Sequence, residues 1–156
     1  MSYFRDSLTP KMNAATAFVV ANAIAPTTVV VSAESTSATS TTDVVYTDAD
    51  LSTYCGVDWH PDSNGDGAYI IGFTKCVSLF GARCERFDVL FDTSRTDQAS
   101  FSTSMAQGLA CHESGHTLGL SHRDNGSAPD VGCMPANVPP YWSYSPHDLN
   151  HINTFF

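Results

Sequence analysis

Cys111-His-Glu-Ser-Gly-His-Thr-Leu-Gly-Leu-Ser-His122 gathers three histidines and a glutamate at spacings that bear chemistry. On an α-helix, residues four apart lie on one face a turn apart, so His112 and His116 aim both imidazoles at a single ion. Glu113 falls on the same turn, placed to take a proton from an ion-activated water without itself being a ligand. Neutral imidazole nitrogens suit zinc, and three protein ligands leave a fourth position open for water. Gly119 can adopt the left-handed conformation that ends a helix, which lets the chain turn and deliver His122 as third ligand. The five positions H-E-x-x-H alone arise by accident on solvated helix faces. The extension through Gly119 to His122, which uses three of the six histidines, makes accident a poor account.

Those side chains need elements to hold them. Ser102 or Thr103 can cap a helix whose apolar face includes Met105 and Leu109 before the metal-binding turn. Upstream, Tyr69 to Val77 and Arg86 to Phe91 read as the strands of a hairpin, the second alternating as Phe87, Val89 and Phe91. Asp43 to Tyr46 begins another strand and Asp48 to Asp50 a turn, while Ser35 to Thr42 is a solvated Ser/Thr-rich connection. Asn13 to Ala25, rich in Ala, Val and Phe, admits two readings. One is a signal peptide with Arg5 and Lys11 as its basic start and Val31-Ser32-Ala33 as its small-residue site. The favoured one is an amphipathic helix with Thr9 as cap and Pro10 at its first position, ending before Pro26, then a buried strand from Thr27 to Ala33. Asn22 and Pro26 interrupt the apolar run, and removing it would leave a sheet short of strands. At the other end, Ser145-Pro-His-Asp148 has the form of a helix start, and Leu149, Ile152 and Phe156 give a closing helix its apolar spacing. His147 and His151, four apart there, read as a solvated face rather than a second metal site.

With these residues placed, the chain resembles the metzincin family of zinc peptidases, whose signature H-E-x-x-H-x-x-G-x-x-H is matched at His112, Glu113, His116, Gly119 and His122. The whole chain looks like a small matrixin-like metzincin of the kind found among secreted actinobacterial proteins. Its Ser145-x-x-Asp148-x-x-x-Ile152 pattern is similar to the last helix of the matrixin branch. The resemblance implies a single α+β catalytic domain over residues 1–156, with a twisted mixed four- to five-stranded sheet, an antiparallel edge strand and three main helices. It also implies a methionine turn below the zinc, at Met134, and an edge strand, Tyr69 to Lys75, that pairs with extended substrate. Some members use a tyrosine after that turn as an extra ligand or transition-state donor, and Tyr141 and Tyr144 are the candidates. The activity implied is hydrolysis of extracellular polypeptides, with Glu113 passing its proton to the leaving amine. Two features depart from the pattern: Arg123 follows His122 where well-known matrixins carry Ser, and the extra cysteines are foreign to their catalytic domains. Both bear on subfamily and specificity rather than on the metal.

Five cysteines without a C-x-x-C pair point to an oxidising compartment and hence to a secreted protein. A Cys111–Cys133 bridge would tie the ligand-bearing helix to the segment at Met134. Cys76 and Cys84 flank a short Gly-containing connection, Val77 to Arg83, and could close a hairpin; Cys55 is then left over, although its pairing with either stays open. Asp62-Ser-Asn-Gly-Asp-Gly67 resembles the first half of a calcium loop, with Asp62, Asn64 and Asp66 as oxygen donors. Phe73 stands where a bidentate Glu belongs, so a plain turn is the simpler reading and calcium the lesser one. Asp124, Asn125, Gly126, Pro129 and Gly132 mark a polar loop, and Asn137 to Tyr141 fall where a specificity pocket would have its wall.

At 156 residues the chain fits one domain with a sizeable core. Its 42% hydrophobic and 15% charged residues exclude a disordered chain. A net charge of −9 with only seven Lys and Arg speaks against nucleic acid or anionic membrane as partner; the polypeptide substrate is what the resemblance implies, and a monomer is expected. A function from another class is a catalytically inactive, zinc-stabilised binding module with the same fold. Glu113 speaks against it, because a purely structural site needs no base and closes its fourth position.

Overall fold

Hydrophobic alternation and one sharp turn account for most of the sheet. The computed structural model describes residues 1–56, 58–59, 70–123, 131–137 and 141–156. Its strands are β1 (Tyr3–Asp6), β2 (Val44–Ala49), β3 (Gly72–Phe80) and β4 (Arg83–Asp92), in the order β1-β2-β4-β3. β1 and β4 each run parallel to β2, and β3 runs antiparallel to β4. The class is therefore α+β with a four-stranded mixed sheet and an antiparallel edge. Tyr46, Val89 and Phe91 are fully buried on one sheet face, where the Tyr46 and Phe91 rings stack at 6.4 Å between centroids.

Among the described residues four α-helices accompany the sheet: α1 (Pro10–Val19), α2 (Thr93–Thr96), α3 (Thr103–Thr117) and α4 (Pro146–Phe155). α1 begins at Pro10, whose missing N–H costs nothing at a first helical position, and continues as π-type winding over Val20–Ile24. It stops before Pro26 as the sequence predicts. Thr9 holds the cap position, yet its side chain makes no cap bond; the Asp48 carboxylate accepts from Thr9 N instead. α1 packs across α3 with Met12, Val19 and Ile24 buried in the shared core. α4 opens on a full capping box between Ser145 and Asp148 and buries Ile152. No helix among the described residues is long and apolar enough to cross a membrane.

Several expectations are corrected. Thr27 to Ala33 is not a strand: it is irregular, with Val30 80% exposed, and an isolated bond, Ser32 N to Met1 O (2.9 Å), ties it to the residue ahead of β1, while Ser35 N, just past it, bonds Tyr3 O (2.8 Å). The sheet takes β1 instead, a strand too short and too polar to announce itself by periodicity. β2 runs on through Asp48, where a turn is predicted, because Asp48 pairs with Phe91 and Thr47 with Asp6. β3 and β4 reach Phe80 and Arg83, so the hairpin connection narrows to Gly81 and Ala82. As expected, Cys76 and Cys84 are bridged within that hairpin, with Cα atoms 5.8 Å apart, and Cys55 is free and exposed. Phe156 is 61% exposed and contributes nothing to the core. The calcium-like run containing Asp62, Asn64 and Asp66, and Tyr69 at the predicted start of the edge strand, lie outside the described residues, as do Asp124 to Pro129.

Candidate metal centre

α3 carries the first half of the site. Ser102 caps it, its Oγ accepting from Met105 N at 3.2 Å, and its last two turns bury His112 and Glu113. The helix ends where Gly119 takes φ +81°, a conformation that costs a side-chain-bearing residue about 1–2 kcal/mol. Leu120 N then bonds back to Gly115 O at 3.0 Å, and the chain returns with His122. The Nε2 atoms of His112 and His122 come within 3.1 Å of each other, as do those of His116 and His112. All three donor atoms lie within 4.8 Å of one another.

Two backbone carbonyls fix the chemistry of this group. His112 Nδ1 lies 2.9 Å from Cys133 O and His116 Nδ1 lies 2.8 Å from Leu120 O. A carbonyl only accepts, so both Nδ1 atoms carry the proton and both Nε2 atoms present lone pairs to the same point. Two facing acceptors repel unless a cation lies between them, and imidazoles oriented by a second hydrogen bond are how proteins hold transition metals. The donor set fits: these histidines can hold a metal ion, and imidazole admits zinc, copper, iron or nickel. Burial lowers His112 to about 4, with the neighbouring His116 adding to the shift, and burial likewise lowers His116. Both stay neutral, as ligands must. His122 is exposed, so the group opens to solvent on its side.

Glu113 is only 4% exposed, and burial pushes its carboxyl up to about 7 against the opposing hydrogen bond from Thr74. That bond runs from Thr74 Oγ1 to Glu113 Oε2 at 2.6 Å, and the same hydroxyl lies 3.0 Å from Glu113 O. A Cβ at Gly72 would stand 2.5 Å from Glu113 Oε1 and 2.8 Å from Leu109 Cδ1, so β3 can cross α3 this closely only with a glycine there. Neither Gly72 nor Thr74 is visible as a site residue in the sequence. They reach Glu113 through strand packing across some 39 positions of chain, for which no local signal exists.

Beneath the histidines, Cys111 and Cys133 are bridged with Cα atoms 5.9 Å apart, as expected. Met134 is fully buried, and its Sδ would lie 2.4 Å from a Cβ at Gly115, so the methionine packs directly under the helix between the two ligands it carries. The third ligand's loop is tied to the same turn by Arg123 N to Met134 O at 2.9 Å. Arg123 Nη1 in turn reaches Ser145 Oγ at 3.3 Å and Asp148 Oδ1 at 3.8 Å. Its side chain thus joins the ligand loop to the α4 cap.

The two tyrosines part company. Tyr144 is not at an open rim: it is buried, and its hydroxyl donates to Cys111 O at 3.3 Å. Tyr141 is 44% exposed, and Trp142 beside it sets its ring edge-on to Phe18 of α1 at 4.9 Å. His147 is 72% exposed and His151 lies against the Phe155 ring at 4.6 Å; among the described residues only His112, His116 and His122 form a metal-capable group. No protein-family model matches the chain, and no curated protein matches it.

Proposed function

We propose that the protein is a zinc-dependent endopeptidase of metzincin type, hydrolysing peptide bonds of extracellular polypeptides. The observation that carries this reading is the convergence of three imidazole nitrogens with a buried glutamate beside them on the same helix turn. His112, His116 and His122 would hold the ion, which when bound supplies a Lewis acid with a position open to water. Glu113 takes the proton of the attacking water and returns it to the departing amine. β3 supports the reading from the substrate side. It is a sheet edge beside Glu113, paired on one side by β4; among the described residues no strand pairs its other side, which would offer backbone donors and acceptors to an extended peptide. Met134 under Gly115 and the Ser145 capping box agree with the same family pattern. The two disulfides suit an extracellular setting.

Metal analysis of the purified protein should find zinc, and casein or gelatin hydrolysis should stop on adding a chelator. Glu113→Gln should keep its zinc and lose on the order of 10²–10⁴-fold in rate. A protein without bound zinc, or a Glu113→Gln variant as active as its parent, sinks the reading. Zinc retained without any hydrolysis by the parent would favour the inactive binding module.

A further inference from the structure

Two residues of β3 sit over Glu113, and the chemistry proposed above uses neither. Gly72 and Thr74 are two residues apart on one strand and so face the same way, onto α3. Thr74 Oγ1 donates to Oε2 at 2.6 Å, a short bond of the kind a hydroxyl makes to a carboxylate. On the other side, Oε1 is pressed toward the backbone of Gly72, where a Cβ would come within 2.5 Å. Oε1 accepts no hydrogen bond among the described residues. Leu109 closes the seat from below, within 2.8 Å of the same Cβ position.

We infer that Thr74 is a positioning residue for Glu113, its hydroxyl fixing Oε2 so that Oε1 is the oxygen that exchanges the proton, with Gly72 providing the clearance. The inference rests on the peptidase reading and extends it to a residue of the edge strand. A carboxylate on a side chain with three rotatable bonds swings through several rotamers when nothing holds it, and a base displaced by an ångström loses much of its effect. The Thr74 hydroxyl removes that freedom without adding charge. It also joins the proposed substrate strand to the base in one rigid piece, because Thr74 pairs with Val89 of β4 through its backbone while its side chain grips Glu113.

Steady-state kinetics on a peptide substrate test this with Thr74→Val, Thr74→Ala and Thr74→Ser, each checked for zinc content and melting temperature. Valine keeps the volume, alanine removes the methyl as well, and serine restores the hydroxyl. The expected result is a fall in kcat of about ten- to a hundredfold in both Thr74→Val and Thr74→Ala, with KM and zinc content near those of the parent. Thr74→Ser should return to within about threefold of the parent. Parental kcat in either hydroxyl-free variant, a loss confined to KM, or a serine variant as slow as the valine one overturns the inference while leaving the peptidase reading intact. A loss that tracks lower melting temperature or lost zinc in all three variants also overturns it, since that is a structural role. A parent protein without hydrolytic activity overturns both.

Discussion

The two disulfides close regions of opposite character. Cys111–Cys133 spans 22 residues and joins two fully buried sulfurs between α3 and the Met134 turn. Cys76–Cys84 spans eight and sits in the far half of a hairpin, where every β3 residue from Cys76 to Phe80 is exposed. Chain entropy alone separates them little, at about 3.4 kcal/mol for the longer span and about 2.5 for the shorter. Their surroundings separate them far more. Around the first, the Cys133 carbonyl orients His112, the Cys111 carbonyl receives the Tyr144 hydroxyl, and Met134 fills the space under Gly115. Around the second, Leu79 and Phe80 are 67% and 75% exposed. A covalent link therefore braces the metal-capable histidine group in one region and only restrains a hairpin in the other.

Removing the buried bridge should have the largest consequence. Cys111→Ala with Cys133→Ala is expected to cost about 4–5 kcal/mol in urea unfolding, because the cavity left in the core adds to the entropy lost. It should also lower metal content, since the carbonyl that fixes the His112 tautomer moves with Cys133. Removing the hairpin bridge, Cys76→Ala with Cys84→Ala, should cost about 2 kcal/mol and leave metal content unchanged. Equal metal loss in the two double variants would break the comparison. Gly119→Ala forces a side chain into the left-handed region and should cost about 1–2 kcal/mol, with weaker metal binding as the His122 loop shifts. The smallest effect is expected from Leu79→Ser with Phe80→Ser, within about 0.5 kcal/mol of the parent in stability. A large destabilisation there would show that the hairpin end is packed in solution.

The comparison also explains what could be read in advance. The motif from His112 to His122 depends on helix periodicity and one glycine turn, both local, and the three imidazoles come together as the spacing predicts. The caps at Ser102 and Ser145 and the helix start at Pro10 are local too and stand where expected, although Thr9 before Pro10 makes no side-chain cap bond. Errors cluster where long-range packing decides. Thr27 to Ala33 is rich in β-branched residues yet remains irregular, since β1 claims the ladder with β2. Tyr144, predicted near the cleft, is instead drawn under α3 by its own burial and by the Cys111 carbonyl. Arg123, a departure from the family pattern, turns out to brace the ligand loop against the α4 cap.

By itself the sequence determined the metal-capable histidine group, the position of Glu113 beside it and the helix that presents His112, Glu113 and His116, because each follows from the fixed rise and turn of an α-helix. Tertiary structure alone decided what makes the set usable. It selected Cys133 O and Leu120 O to fix the imidazole protons, brought Met134 under Gly115, and laid Gly72 and Thr74 over Glu113. Those contacts join segments from different parts of the chain, and no periodicity within any one segment encodes which others it will meet.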